Sequence, residues 1–384
     1  MIMKRFLTSS KFLYASILIL FSLLIIRGII LGLYDLHPYD EMIVVKLFNR
    51  YIYILAYIIS VFSLFYIRFK IDKAALFAWL SVVLVSFFHE LGFVFQKGSV
   101  SLKFFSDYTA LVSFGVLFFG LWDKFNGGSE FDLKVLRVFE IVVISNCSLV
   151  LISHALDLPI FKSYPDSVRW GYSGFLKRGY NVIFSTILLI DYLNSKGSWD
   201  KMKLLKTGLV VLSIIISGTK AGLLSLGMIF YFHYSDSMHK RILLALSGLI
   251  GIIFLPYWIK YLIKLSPFWS ATYDQSGPWG VFFSLRNENL LEFFNLIKNE
   301  YSYINWFFGG KIYHERLWVE ILPIDLFGFY GLVGFIAFIN LFRSVSQNLK
   351  VLIPVFVSFG SGSFVNAPLA FIIWAIWAKR FEKS

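Results

Sequence analysis

Residues 306–331 read WFFGGKIYHERLWVEILPIDLFGFYG and pass directly into the apolar stretch 326–341. They close a longer polar interruption, residues 265–331, which also contains SLRNENLLEF at 284–293. Arg286, Glu288, Lys311, His314, Glu315, Arg316, Glu320 and Asp325 all fall inside it. Charged groups perched above an apolar span are costly unless they serve a task. The interruption therefore reads as the mouth of a membrane bundle, and the rest of the chain as the bundle itself.

Composition points the same way. Of 384 residues, 58% are hydrophobic and 15% charged, whereas a soluble domain carries about 25% charged residues. An ordinary soluble enzyme is excluded on that balance. The expectation is one integral membrane domain over 1–384, with 265–319 as a long extracytoplasmic loop bearing short helices. The net charge of +13 belongs in loops that face anionic lipid. No basic soluble domain is present to bind nucleic acid. Cys147 stands alone in an apolar run, which gives neither a disulfide framework nor a cysteine metal site. The start, MIMKRFLTSSK followed by an apolar run, lacks a small-x-small cleavage site and reads as an uncleaved first span.

A membrane helix needs about 20 mostly apolar residues. Such runs lie at 12–33, 45–67, 74–95, 104–122, 135–156, 175–193, 204–217, 221–235, 241–264 and 320–342. The last apolar region, 349–378, is long for one helix and short for two. It is broken at Gly360-Ser361-Gly362-Ser363 and flanked by Pro354 and Pro368. Two short helices around the break give an all-α polytopic bundle of about 12 spans; a single crossing there is the alternative. Lysine and arginine recur in alternate loops (Arg68, Lys70 and Lys73; Lys124, Lys134 and Arg137; Lys196 to Lys206; Lys240 and Arg241; Arg343 and Lys350), which places these loops and both termini in the cytoplasm. Two external segments, 157–179 and 260–318, are basic on the wrong side. An anionic ligand at that face explains them; the competing explanation is that long loops translocate regardless of charge.

The candidate residues follow from that excess. PDSVRWGYSGFLKRGYNVIFS at 165–185 holds Arg169 and Arg178 among turn-permitting glycines. Arginine suits a diphosphate because its planar fork binds phosphate oxygens in pairs and stays charged; interfacial snorkelling is the plainer role. Lys220 ends the corner Ser217-Gly218-Thr219-Lys220, where it either anchors the interface or neutralises phosphate. Arg286 opens a short amphipathic helix, 286–298. Helix N-termini prefer anions, so a ligand role suits this arginine better than helix stabilisation. The aromatics Trp269, Tyr273, Trp279, Phe282, Phe283, Tyr301, Tyr303, Trp306, Phe307 and Phe308 form an interfacial belt or stack on sugar rings. Pro323 and Asp325 suit the first turn of a helix. Glu320 precedes that turn and points about 140° away from Asp325 on a helical template. Glu320, Glu315 and His314 are the available bases. Arg27, Glu90 and Glu140 read as internal ion-pair members and His154 as a loop-end histidine, all within a scaffold half, 1–156.

The order of these features resembles the Wzy-type polysaccharide polymerases and the related O-antigen ligases. The matching pieces are RWGYSGFLKRGYN, SGTKAG, SLRNENLLEF, FFGGK, EILPIDLFGFYGLVGF and GSGSFVNAPLA, spread over roughly residues 165–378. The family often has arginine where Lys220 stands and Gly-His where Gly362-Ser363 stands. Ligases carry a histidine and glycine-pair spacing that His314, Glu315, Gly328 and Gly331 do not reproduce. These departures push the resemblance toward polymerase.

What the resemblance implies is a glycosyltransferase of a bacterial inner membrane with an extracytoplasmic active face. It joins repeat units carried on polyprenyl diphosphate, the donor and acceptor being its partners together with membrane lipids. It leaves room for a chain-length regulator. Such a reaction needs a base for the acceptor hydroxyl (Glu320, then Glu315 and His314) and cations for the departing diphosphate (Arg169, Arg178, Lys220 and Arg286). No cofactor or metal is implied. The rival readings are an O-antigen ligase and, of another class, a lipid-linked oligosaccharide flippase.

Overall fold

The computed structural model describes residues 10–36, 72–97, 110–125, 129–163, 171–176, 178–195, 199–234, 238–254, 267–284, 286–309, 319–358 and 367–382, with a few isolated positions between 257 and 263. Among them lie fourteen α-helices and no strand. In chain order these are α1 (Ser10–Leu36), α2 (Lys73–Lys97), α3 (Ala110–Phe125), α4 (Ser129–Ala155), α5 (Arg178–Asn194), α6 (Lys201–Ile216) and α7 (Lys220–Tyr234). Then come α8 (Met238–Ile253), α9 (Pro267–Phe283), α10 (Arg286–Glu300), α11 (Tyr303–Phe308), α12 (Leu322–Val345), α13 (Leu349–Ser358) and α14 (Pro368–Phe381).

The all-α expectation holds, and two helices, Glu130–Ala155 within α4 and Leu322–Val345, are long and apolar enough to cross a membrane. The expected spans 204–217 and 221–235 are helical but short. At 16 and 15 residues, α6 and α7 rise about 24 and 22 Å, against a hydrocarbon thickness of about 30 Å. The region 349–378 does split into two helices, α13 and α14, and the turn between them lies outside the described residues, as does the expected span 45–67.

The centre of the bundle is α14. Pro368 through Ala378 are all buried, which is the signature of a helix apolar on every face. It packs on α1, α3, α4, α5, α12 and α13. Its two tryptophans spend their indole donors inside: Trp374 Nε1 donates to the Val351 carbonyl of α13 at 2.7 Å and Trp377 Nε1 to Asp191 Oδ1 of α5 at 3.0 Å. Both bonds fix neighbouring helices in rotation as well as in distance, which apolar contact alone does not do.

The local sequence explains several helix ends. Asp72 caps α2 by accepting from the Ala74 and Ala75 amides at 3.0 and 3.1 Å, and Asp200 caps α6 by accepting from the Lys203 amide at 2.6 Å. Ser302 and Asn305 cap α11 reciprocally. Proline opens both α12 and α14.

Inside α12 the helix is interrupted at Gly331 (φ 62°, ψ −166°), and α11 docks there. Phe308 of α11 also stacks on Phe88 of α2 at 4.8 Å between ring centroids. Tyr301 and Trp306 meet Phe327 of α12 at 6.5 and 5.5 Å. Trp306 packs on Phe327 by one side and stays exposed on the other, and Trp279, Phe282 and Phe283 stack on one another and also remain exposed.

Candidate functional site

Four parts of the chain are tied together at one end of the bundle. The first is the loop after α4. The Ser163 amide donates to the Gly171 carbonyl at 2.8 Å and the Ser173 amide to the Phe161 carbonyl at 2.9 Å, pairing 161–163 with 171–173. The Tyr172 amide then donates to the Ile216 carbonyl at 3.0 Å, and Ser163 Oγ to the Ser217 carbonyl at 3.0 Å. The glycine-rich loop is thereby fastened to the corner between α6 and α7. Gly171 sits at φ 138° there, and a Cβ on it would lie 2.3 Å from the Ser217 carbonyl oxygen, so no other residue fits.

The loop is held from below by Asn146 of α4, which is fully buried. Its amide nitrogen donates to the Ser173 carbonyl at 3.1 Å and to Asn181 Oδ1 at 3.0 Å, and its oxygen accepts from the Leu176 amide at 2.9 Å. Leaving buried partners unpaired costs about 1–3 kcal/mol each. Asn146→Leu, similar in size, is therefore expected to lower the thermal unfolding midpoint. It should also open residues 157–177 to protease while α12 stays protected. A variant whose loop is cut no faster than the parent would show that the amide holds nothing.

At the loop's outer edge Asp157 accepts from the Tyr172 hydroxyl and from Lys162 Nζ, the latter at 2.9 Å. The Tyr172 hydroxyl first, and Lys162 second, hold the Asp157 carboxyl below the usual range. Burial, reinforced by that carboxylate, pushes the Tyr172 phenol up to about 12.

The corner leads to the second part. Lys220 Nζ reaches across to the end of α9, donating to the carbonyls of Val281 and Phe282 (the latter at 3.0 Å) and to Ser284 Oγ at 2.8 Å. A cation at helix-end carbonyls is favourable. This is neither of the roles read for Lys220 from the sequence: it fastens the end of α9, the helix that precedes Arg286.

Arg286, the third part, does not stabilise its own helix. Nη1 donates back to the Phe283 carbonyl at 3.3 Å, and Nη2 donates to Glu320 Oε2 at 2.6 Å. Glu320 is the fourth part, two residues before α12. Below it Asp325, buried in the first turn, accepts from the Val319 amide at 3.1 Å. Asp325 thus shapes the backbone that presents Glu320.

The Arg286–Glu320 pair is not there for stability. The side chains are 21% and 55% exposed, and pairs of that exposure contribute about 1 kcal/mol at most. Glu320 meanwhile adopts φ 58°, and Ser284, beside Arg286, φ 55°. Each non-glycine residue in that region costs about 1–3 kcal/mol. The strain exceeds what the ion pair returns, and strain of this kind gathers where a site is held ready. The third described non-glycine residue with positive φ, Asp157 at φ 47°, lies in the loop at the same end.

Of the residues singled out in the sequence, Lys220, Arg286 and Glu320 are brought together through segment 281–286. Arg178 is the first residue of α5, directly after the anchored loop. Arg169, His314 and Glu315 lie outside the described residues. Sequence reasoning missed Asn146 and Ser284; a lone asparagine in the apolar run IVVISNCSLV was the available signal for the first.

No family model, curated protein or solved structure matches this chain.

Proposed function

We propose that the chain is a multi-pass membrane glycosyltransferase that polymerises polyprenyl-diphosphate-linked repeat units into a surface polysaccharide, working at the extracytoplasmic face of a bacterial inner membrane. The observation that carries this reading is the contact between Arg286 and Glu320 in a strained, partly open mouth. It sets a cation and a carboxylate side by side, the two groups such a transfer needs. Bilayer placement is supported by the outward apolar side chains of the helices, among them Leu80, Ile141, Ile152, Leu223, Leu249 and Ile336. Apolar cover of that extent marks contact with lipid or protein rather than water.

In this reading the donor diphosphate docks on Arg286 and draws it away from Glu320. The freed carboxylate takes the proton of the acceptor sugar hydroxyl as its oxygen bonds to the donor anomeric carbon. The bond from that carbon to the diphosphate oxygen breaks, and the electron pair leaves with the polyprenyl diphosphate, whose charge Arg286 stabilises. Arg178 and Arg169 border the same face in sequence, and Lys220 keeps the α9 end in place. The exposed rings Trp279, Phe282 and Phe283 next to Arg286 offer a stacking surface for sugars.

Deletion of the gene distinguishes the readings. For a polymerase, single repeat units remain on the lipid core and the ladder of longer glycans disappears. Glycan confined to its carrier, with none on the core, identifies a ligase instead. Repeat units stranded on the cytoplasmic side identify a flippase.

A further inference from the structure

A second polar feature lies at the opposite end of the bundle. A cavity of about 210 Å³ opens between α4, α5 and α14, with Arg137, Glu140, Asp191, Trp377 and Arg380 among its lining. Arg137 is 18 residues before the end of α4 at Ala155, about 27 Å along the helix, so this cavity is remote from the Arg286–Glu320 mouth. Its charges are unevenly satisfied. Glu140 accepts from Lys206 Nζ at 2.7 Å and from the Tyr192 hydroxyl at 2.6 Å. Asp191 accepts from the neutral Trp377 indole. Among the described residues no ion pair closer than 4 Å engages Arg137, Arg380 or Asp191, and all three are exposed.

Arg137 faces Glu140, which already accepts from Lys206, and Arg380 faces Asp191, with no bond under 4 Å to either arginine, so both forks keep donors for a phosphate, which they bind bidentately. An open carboxylate beside them calls for a cation. A purely anionic ligand would leave Asp191 facing like charge; a simple ammonium would leave the arginines unanswered. The volume is below the roughly 300–1,000 Å³ of pockets for drug-sized ligands, so it suits a small headgroup and not a sugar repeat unit. Leu133 and Leu188 supply an apolar wall next to the charges, where the glycerol end of a lipid would lie. Basic pockets between membrane helices are known receptors for phospholipid headgroups.

We infer that this cavity binds a zwitterionic phosphate–amine headgroup of the phosphoethanolamine kind, with the phosphate on Arg137 and Arg380 and the ammonium on Asp191. The inference rests on the bilayer placement and not on the glycan chemistry, and its test does not use glycan.

The full chain is purified in detergent, and retained phosphatidylethanolamine and phosphatidylglycerol are counted by native mass spectrometry during titration with each lipid. The parent should retain phosphatidylethanolamine in preference to phosphatidylglycerol. Arg137→Gln with Arg380→Gln should lower retention of both by tenfold or more. Asp191→Asn, which keeps an oxygen for the Trp377 indole, should abolish the preference while phospholipid still binds. Free phosphoethanolamine is the competing probe. If it displaces the lipid, the headgroup alone fills the site; if it does not while the lipid preference stands, the intact lipid is the ligand, and either result upholds the assignment. Equal retention by the parent and the double variant, or an unchanged preference in Asp191→Asn, overturns it. Full glycan ladders from Arg286→Ala with the lipid preference intact would instead strike the catalytic reading alone.

Discussion

Arg286→Ala is expected to erase glycan chain extension while the protein remains inserted at normal levels. A single positioned donor to a developing negative charge is worth about 10²-fold or more in rate, and in a processive assembly a loss of that size removes the ladder altogether. The structure adds a second reason. Arg286 bridges Glu320 and the Phe283 carbonyl with two different nitrogens, so alanine also leaves Glu320 without the partner that orients it. Arg286→Lys separates the two effects: the charge survives, but a single ammonium does not reproduce the fork, and short ladders should return. Glu320→Gln keeps an oxygen for Arg286 and loses only basicity, so extension should fail with the unfolding midpoint little changed. Complementation of a deletion strain, read as ladder length beside membrane-fraction abundance, checks all three. Full ladders from Arg286→Ala would end the diphosphate assignment.

Gly331→Ala is expected to disable the protein through its backbone. Gly331 breaks α12 at φ 62°, ψ −166°, a region open in practice to glycine alone. A Cβ there would lie 2.3 Å from the Phe307 carbonyl oxygen, 2.4 Å from its carbon and 2.5 Å from the Phe308 nitrogen. All three are main-chain atoms of α11, so nothing flexible can yield. Strain and overpacking together cost about 2–6 kcal/mol, and the cheapest relief is for α11 to lift off α12. That frees the Tyr301 and Trp306 rings from Phe327. Faster proteolysis around 301–309 and loss of ladders should appear together. Gly208→Ala is the control. That glycine lies within α6 with nothing within 4 Å of an added Cβ, and alanine there gains up to about 1 kcal/mol of helix propensity. A Gly331→Ala protein as stable and active as Gly208→Ala would show that the α11–α12 contact is dispensable.

Much of the helical architecture could be read from the chain because its signals are local. Pro323 marked the start of α12, and the apolar spacing of 286–298 marked α10. The Gly360–Ser363 break divided α13 from α14. Other elements carried conflicting local signals. Helix α9 contains Gly277-Pro278 and several polar residues, which read as loop; the structure has it helical on both sides of Gly277, packed on α10 and held at its end by Lys220. The hairpin at 204–235 turns at Ser217-Gly218, as its small residues indicate, but its two helices, of 16 and 15 residues, are shorter than full crossings.

The candidate site was legible as a set of residues and not as an arrangement. Arg286 was chosen for positive charge on an unexpected side, Lys220 for its place at a two-helix corner and Glu320 for preceding the first turn of α12, properties each position shows by itself. That Arg286 meets Glu320, and that Lys220 holds backbone carbonyls of α9, are facts of tertiary pairing between distant positions, and carbonyl acceptors leave no mark in a sequence. The same reason hid the cavity at Arg137, Asp191 and Arg380, whose members come from three helices spread over most of the chain.

The burial of α14 on every side has a consequence for biogenesis. This helix follows, in order of synthesis, each helix it touches. Until it leaves the translocation machinery, α3, α4, α5, α12 and α13 surround an unfilled axis, with Asp191 and the Val351 carbonyl still lacking their indole donors. The nascent bundle must therefore wait, loosely assembled, for its own keystone, and during that interval it depends on whatever shields the gap.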